Sequence, residues 1–247
     1  MALGDANLGL LACFRETDVA RQNGPALGVP FVLVAPTDLR MVMNQLLARS
    51  AELEEAISAL LALGTFDGSA RSTTSRTLCS VSLEHAESTK ILLVSGNFTS
   101  AVGLIRLQYE ALVRAMWLLY AASDGAAERL AAELSQRTAT SAEKIPMLSE
   151  MLSRLEGKAP KEALDMLLEF KQYSWKPLSS FVHGGVHAIH RHSKGYPAAL
   201  LDQALRASNG VSLMVGMLLV MLSGDQSQRG RVSGIQMKFR DCLPPDR

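Results

Sequence analysis

Thr99-Ser-Ala-Val-Gly-Leu-Ile-Arg-Leu-Gln-Tyr-Glu-Ala-Leu-Val-Arg-Ala-Met-Trp-Leu-Leu-Tyr-Ala-Ala122 is the stretch on which the fold class turns. Its only charges are Arg106, Glu110 and Arg114, each four residues from the next, so all three share one stripe of a helix. Val102, Leu104, Ile105, Leu107, Ala111, Leu112, Val113, Met116, Trp117, Leu118 and Leu119 occupy most of the remaining circumference, the pattern of a central helix rather than a surface one. Gly96-Asn97 stops the preceding element and caps this one.

A central helix needs helices around it, and the chain supplies them. Leu39, Val42, Leu46, Leu53, Ile57, Leu60 and Leu61 recur at helical spacing from Asp38 to Leu63, ending at Gly64. A polar loop over Thr65 to Ser72 leads to a second helix, Thr73 to Ser95, whose stripe reads Leu78, Val81, His85, Thr89, Leu92 and so places His85 on the inward face. Ala126 to Arg137, Met147 to Leu155 and Lys161 to Tyr173 read as short amphipathic outer helices with solvated charges. Trp175 and Pro177 turn the chain into a helical segment from Pro177 to His192. A long helix follows from Ala198 to Leu222, open to a kink at Asn209-Gly210, with Met214, Met217 and Met221 as a packing seam. The fold class expected is all-α, an up-down helical bundle of about five main helices with a peripheral helical insertion. Residues 1–35, glycine-bearing and without helical period, form an N-terminal arm; 36–224 form the bundle domain, with 125–174 peripheral; 225–247 form a solvated C-terminal tail.

Composition narrows the function classes. With 25 basic and 24 acidic residues the net charge is +1, so nucleic-acid or lipid binding would have to come from a local cluster. Cys13, Cys79 and Cys242 are odd in number, far apart and without C-x-x-C pairing, which reads as free thiols in a reducing cytosol. Leu8 to Phe14 is apolar but lacks a basic n-region, and the apolar run Val211 to Leu222 is short of a bilayer span, so the expectation is a cytoplasmic protein with no membrane partner.

Chemistry concentrates in Phe181-Val-His-Gly-Gly-Val-His-Ala-Ile-His-Arg-His192, which holds four of the chain's five histidines. On a continuous helix His183, His187 and His190 lie at i, i+4 and i+7 along one face. Gly184-Gly185 would cost about 1 kcal/mol per glycine inside that helix, so either a close approach or a local break is expected there. Three uses of these residues stand side by side. His183 and His187 with Glu110 and His85 have the donor types of a first-row metal site, although H-E-x-x-H is absent. Without a metal, and with no cofactor expected, His183 or His187 could exchange a proton with a ribose 2′-hydroxyl while Arg106, Arg114 or Lys176 holds the phosphate. Or the group is a hydrogen-bonded structural knot of His85, Glu110, Lys176, Ser180 and His190 with its neighbours, with Ser179 a further partner.

Leu83-Glu-His-Ala-Glu-Ser, Arg106-Leu-Gln-Tyr-Glu-Ala-Leu-Val-Arg-Ala-Met-Trp117 and Lys176-Pro-Leu-Ser-Ser-Phe-Val-His-Gly-Gly-Val-His-Ala-Ile-His-Arg-His192 resemble segments of an uncharacterised family of all-helical bacterial proteins, over about residues 40–225. The layout is more distantly similar to the HEPN superfamily of helical bundles. That resemblance implies a homodimer, RNA as partner, and a metal-independent RNA-cleaving role of toxin or defence type, with His183 and His187 exchanging protons and Arg106 and Arg114 holding phosphate. The superfamily's Arg, four to six residues, His is replaced here by Lys176, six residues, His183. The rival expectation is a non-catalytic binding or scaffolding bundle.

Overall fold

The sparsely charged run folds as one helix of 23 residues, α3 (Phe98–Tyr120), in a computed structural model that describes residues 37–133, 135, 136 and 145–245. The arm expected over residues 1–35, Cys13 among it, lies outside the described residues. Ala101, Val102, Ile105, Tyr109, Leu112, Val113 and Trp117 are all buried, which puts α3 at the centre. Around it stand α1 (Thr37–Ser58) with a 3-10 turn at Ala59–Leu63, α2 (Ala70–Val94), α4 (Asp124–Ala131), α5 (Leu148–Leu155), α6 (Lys161–Val182), α7 (Val186–Lys194), α8 (Ala198–Ser223) and α9 (Arg229–Lys238). No strand occurs among the described residues, and the fold is all-α.

The α2–α3 hairpin is the largest contact between helices among the described residues. α2 turns Ser72, Ser75, Cys79, Ser82, Leu83, Ala86, Thr89 and Leu93 inward, most of them small, so the two backbones lie close. The buried hydroxyls donate into α3 carbonyls: Ser75 Oγ to Ala115 O at 2.9 Å and Ser82 Oγ to Gln108 O at 2.9 Å. This corrects the expected stripe. Leu78, Val81, His85 and Leu92 are only half-buried, because the large side chains flank a seam built from small ones. Gly96, at φ 79°, closes the hairpin: Asn97 N–H donates to Leu92 O and Gly96 N–H to Leu93 O, satisfying the last carbonyls of α2. At the far end of α3, Arg71 donates to Leu118 O at 2.5 Å and Ala122 O at 2.8 Å, a cation on the helix C-terminus.

Behind α3 runs α8, one helix through Asn209-Gly210, so the chain is not divided there. Its length and composition would cross a bilayer, but 83 % of its apolar window is buried inside the fold, the environment of a core helix. The buried polar chemistry of the protein lies between these helices and not among the histidines. Gln108 Nε2 donates to Ser208 O at 3.0 Å and Ser212 Oγ at 3.1 Å, and Ser208 Oγ donates to Gln108 Oε1 at 2.7 Å. Asn209 Nδ2 donates to Ser50 Oγ and Cys242 O, both at 2.8 Å.

The helices expected to be outer and amphipathic each bury one face in the core: Met151, Leu152 and Leu155 of α5 and Leu164, Leu167 and Phe170 of α6 are buried, and Tyr109 Oη donates to Leu167 O at 2.6 Å. The solvated tail is instead a docked segment. Phe239, Cys242 and Leu243 are buried, and Arg49 clasps Asp241 through Nε at 2.8 Å and Nη2 at 3.0 Å while covering the Phe239 ring at 4.6 Å. Apolar residues at spacings too irregular to read as a helix stripe, rather than a lack of them, hid this segment.

Gln108→Leu keeps the volume but leaves the Ser208 and Ser212 hydroxyls without their amide, and should lower the unfolding free energy by about 2 kcal/mol in urea titration. Adding Ser208→Ala should recover part of that loss. A single variant as stable as the parent would show that the amide network contributes nothing.

Candidate functional site

α6 does not turn at Trp175 and Pro177, as the sequence suggested, but runs through both to Val182. Proline removes one helix hydrogen bond. Ser174, Leu178 and Phe181, all buried, hold the helix in place across that gap. The break comes at the double glycine. His183 is the terminal residue, Gly184 adopts φ +63°, and Gly185 N–H donates to Ser180 O at 2.7 Å, the closed C-terminal turn already seen at Gly96. Ser180 Oγ then accepts from His187 N–H at 2.9 Å and so caps the start of α7. A β-carbon on Gly185 would sit 2.6 Å from Ser180 Oγ. Both expectations for the glycines therefore hold at different residues: the break at Gly184, the close approach at Gly185.

The break dismantles the ladder of histidines. His183 ends one helix while His187 and His190 belong to the next, so the three do not share a helix face. None lies in a core: all are exposed. What the fold does bring together is α3 and the end of α6. Arg106 Nη1 donates to His183 Nε2 at 2.8 Å, Arg106 Nε donates to Glu110 Oε1 at 2.7 Å, and the guanidinium lies 4.3 Å over the Trp175 ring. A guanidinium has only donors, so His183 accepts through Nε2 and carries its ring proton on Nδ1. The Arg106 and Glu110 side chains are 15 % and 23 % exposed, half-buried beside an open imidazole. Nearby, Thr99 Oγ1 meets Tyr196 Oη at 2.8 Å and His192 Nδ1 at 3.3 Å, fastening α7 and the chain beyond it to the start of α3.

The other candidates fall elsewhere. Arg114 lies eight residues beyond Arg106, about 12 Å along the axis at 1.5 Å per residue; its Nε is buried without a hydrogen-bond partner, and it does not join the cluster. Lys176 is exposed, with no partner among the described residues. Ser180 serves the turn, whereas Ser179 Oγ is buried with no partner. His85 sits on α2, its imidazole pushed below its ordinary value of 6.5 by burial, with Glu84 opposing. The metal set expected from His85, Glu110, His183 and His187 is not assembled: among the described residues no three His, Cys, Asp or Glu side chains come together as metal donors. Trp175 and Thr99 are the members that the sequence reading missed. Trp175 stands eight residues before His183, two turns along the same face of α6, a spacing that could have identified it.

Two outcomes follow. Gly185→Ala should cost about 2 kcal/mol in thermal or urea melting, and Ser180→Ala about 1 kcal/mol. The double variant should cost less than their sum, because removing Oγ removes the clash; strict additivity would exclude this contact. His85 contributes in the opposite sense to a stabilising cation. Its folded-state value lies below the unfolded one, so its share of stability is present above 6.5 and is lost as pH falls through the depressed value. The urea midpoint of His85→Leu should therefore fall less between pH 7 and pH 5 than that of the parent; parallel curves would refute the assignment.

No curated protein and no solved structure matches the chain. One family model does, over residues 79–245, more than half of the chain and further toward the C-terminus than the span expected from the sequence, so that the docked segment falls within it together with α3, α6 and α7. The chain belongs to that family, a family of unknown function (DUF6988).

Proposed function

We propose that this chain is a metal-independent RNA-cleaving protein whose reacting groups are His183 and Arg106. The observation that carries the reading is the 2.8 Å contact between an exposed imidazole and a guanidinium anchored on its other sides by Glu110 and Trp175. Cleavage within RNA asks for little more. A cation holds a non-bridging oxygen of the phosphodiester. A base takes the 2′-hydroxyl proton while that oxygen attacks phosphorus, and an acid returns a proton to the departing 5′-oxygen, leaving a 2′,3′-cyclic phosphate. Arg106 is the holder and Nε2 of His183, once a phosphate oxygen takes the Nη1 donor in its place, is the base. His187, on the adjoining turn, is the acid. Glu110 is a positioning residue: it fixes the guanidinium plane through Nε and leaves the Nη groups to the ligand.

A second reading rests on the same contact. Arg106 already has three partners, which suits a clamp joining α3 to α6 with no reaction at all. The two readings separate in one experiment. A labelled single-stranded RNA is incubated with the protein in EDTA, and each variant is also melted. His183→Ala should lower the cleavage rate at least about 100-fold, the usual worth of a proton-transfer group, with an unchanged melting temperature. Intact RNA with the parent protein, or a variant that cleaves at the parent rate, ends the catalytic reading. A lowered melting temperature with no activity to lose establishes the clamp.

A further inference from the structure

Two stretches of the chain, residues 88–109 and 170–201, contain neither Asp nor Glu. At the chain's own frequency of 24 acids in 247 residues, about five would fall there. The fold holds the two stretches against each other. Thr99 bonds to Tyr196 and His192, the Phe98 and Tyr196 rings lie 5.4 Å apart, Arg106 meets His183, and Gly103 packs on Val182. Two packed stretches of an almost neutral protein thereby carry no acidic residue of their own, Glu110 beside them being bonded to Arg106. Of their cations, Lys90 pairs with Glu54 and Arg106 with Glu110, whereas Lys176, Arg191 and Lys194 have no ion pair among the described residues. Four of the five histidines stand in the same region.

α7 carries this charge along a ridge. It is a nine-residue helix with only Ala188 buried, about 13 Å long at 1.5 Å per residue. It starts at the turn that carries His183 and ends at Lys194. A second copy of the same ridge would repel it, and an acidic protein would be met more cheaply by a compact patch than by cations set along one narrow helix. A polyphosphate strand matches both the sign and the linear order, and charge neutralisation along a ridge is how such strands bind without sequence preference. The exposed Val186 and Ile189 would also suit an anionic bilayer, which makes that surface the competitor to be tested. We infer that the acid-free ridge of α7 binds the RNA strand that flanks the scissile phosphate, with Arg191 and Lys194 on successive phosphates. This deepens the RNA reading of the His183 site and rests on it.

The probe is a fluorescent 20-nucleotide oligouridine with 2′-O-methyl groups, which binds but has no 2′-hydroxyl to react. Anisotropy is followed in EDTA between 50 and 200 mM salt. Each neutralised phosphate contributes about −0.7 to the slope of log K against log salt. Arg191→Gln with Lys194→Gln should therefore flatten the slope by about 1.4 and weaken binding about 25-fold at 0.1 M salt, with the helical circular dichroism and melting of the parent. His183→Ala should retain the parent slope. Binding with this dependence but no cleavage of ordinary RNA would keep the ridge and discard the catalytic reading. Cleavage with a slope that ignores Arg191 and Lys194 would do the reverse. A parent protein that ignores the oligonucleotide, or that sediments with phosphatidylglycerol vesicles in its place, overturns the inference.

Discussion

A helix buried on most of its circumference can be covered only by neighbours that come close, and the rest of this fold follows from how α2 meets that demand. Its inward face is mostly serine, threonine, alanine and cysteine, with leucine only at Leu83 and Leu93. Small side chains let two backbones approach, and their hydroxyls are satisfied by α3 carbonyls, so burial of the polar atoms carries no desolvation penalty. The cost is borne in volume: α2 contributes few large apolar groups, and the bulk of the core must come from α3, α6 and α8. Tyr109 and Phe170, stacked at 4.5 Å, show how α6 answers, which is why a segment rich in surface charge nevertheless forms one wall of the core.

The same geometry fixes where chemistry can occur. α3 is left partly open along the strip of Arg106, Glu110 and Arg114, and the end of α6 arrives at only the first of these. Had α6 continued past His183, the imidazoles would have pointed in a row along one helix. The closed turn at Gly184 instead leaves His183 at a helix end, where its ring can reach α3, and sends α7 off as a separate ridge. Gly96 performs the same turn between α2 and α3, so one local device, used twice, places both α3 and the His183 end of α6.

Much of this could be read from the letters, and what could not has a physical explanation. The centrality of α3 was legible because apolar residues cover most of its circumference, the pattern of a central helix. Its meeting with the histidine stretch was legible as well, since a lone charged stripe needs partners. The face of α2 was misread because period alone weights large residues, whereas the seam uses small polar ones whose burial depends on a neighbour's carbonyls. The histidine ladder failed because a left-handed glycine ends a helix as readily as an alanine continues it, and spacing arguments hold only within one element. The tail was misread because Phe239, Cys242 and Leu243 dock through an arginine on α1, a long-range contact that no local pattern announces.

Energetics bear on whether the Arg106 cluster is there to hold the fold. Its ion pair is partly solvated, and pairs of that kind are worth from nothing to about 1 kcal/mol. A cation over an indole adds a similar amount, and the hydrogen bond to an exposed imidazole no more. By contrast, the buried Gln108, Ser208 and Ser212 network and the Tyr109–Phe170 stack lie where low dielectric makes each unmade bond expensive. Stability resides in those layers. A guanidinium fixed in orientation, yet reachable from solvent, has little desolvation left to undergo when an anion arrives. Glu110, by lying along one edge only, sets direction without occupying the Nη groups. On the proposed reading, a cation and an imidazole 2.8 Å apart that contribute so little to stability meet a ligand rather than hold two helices together.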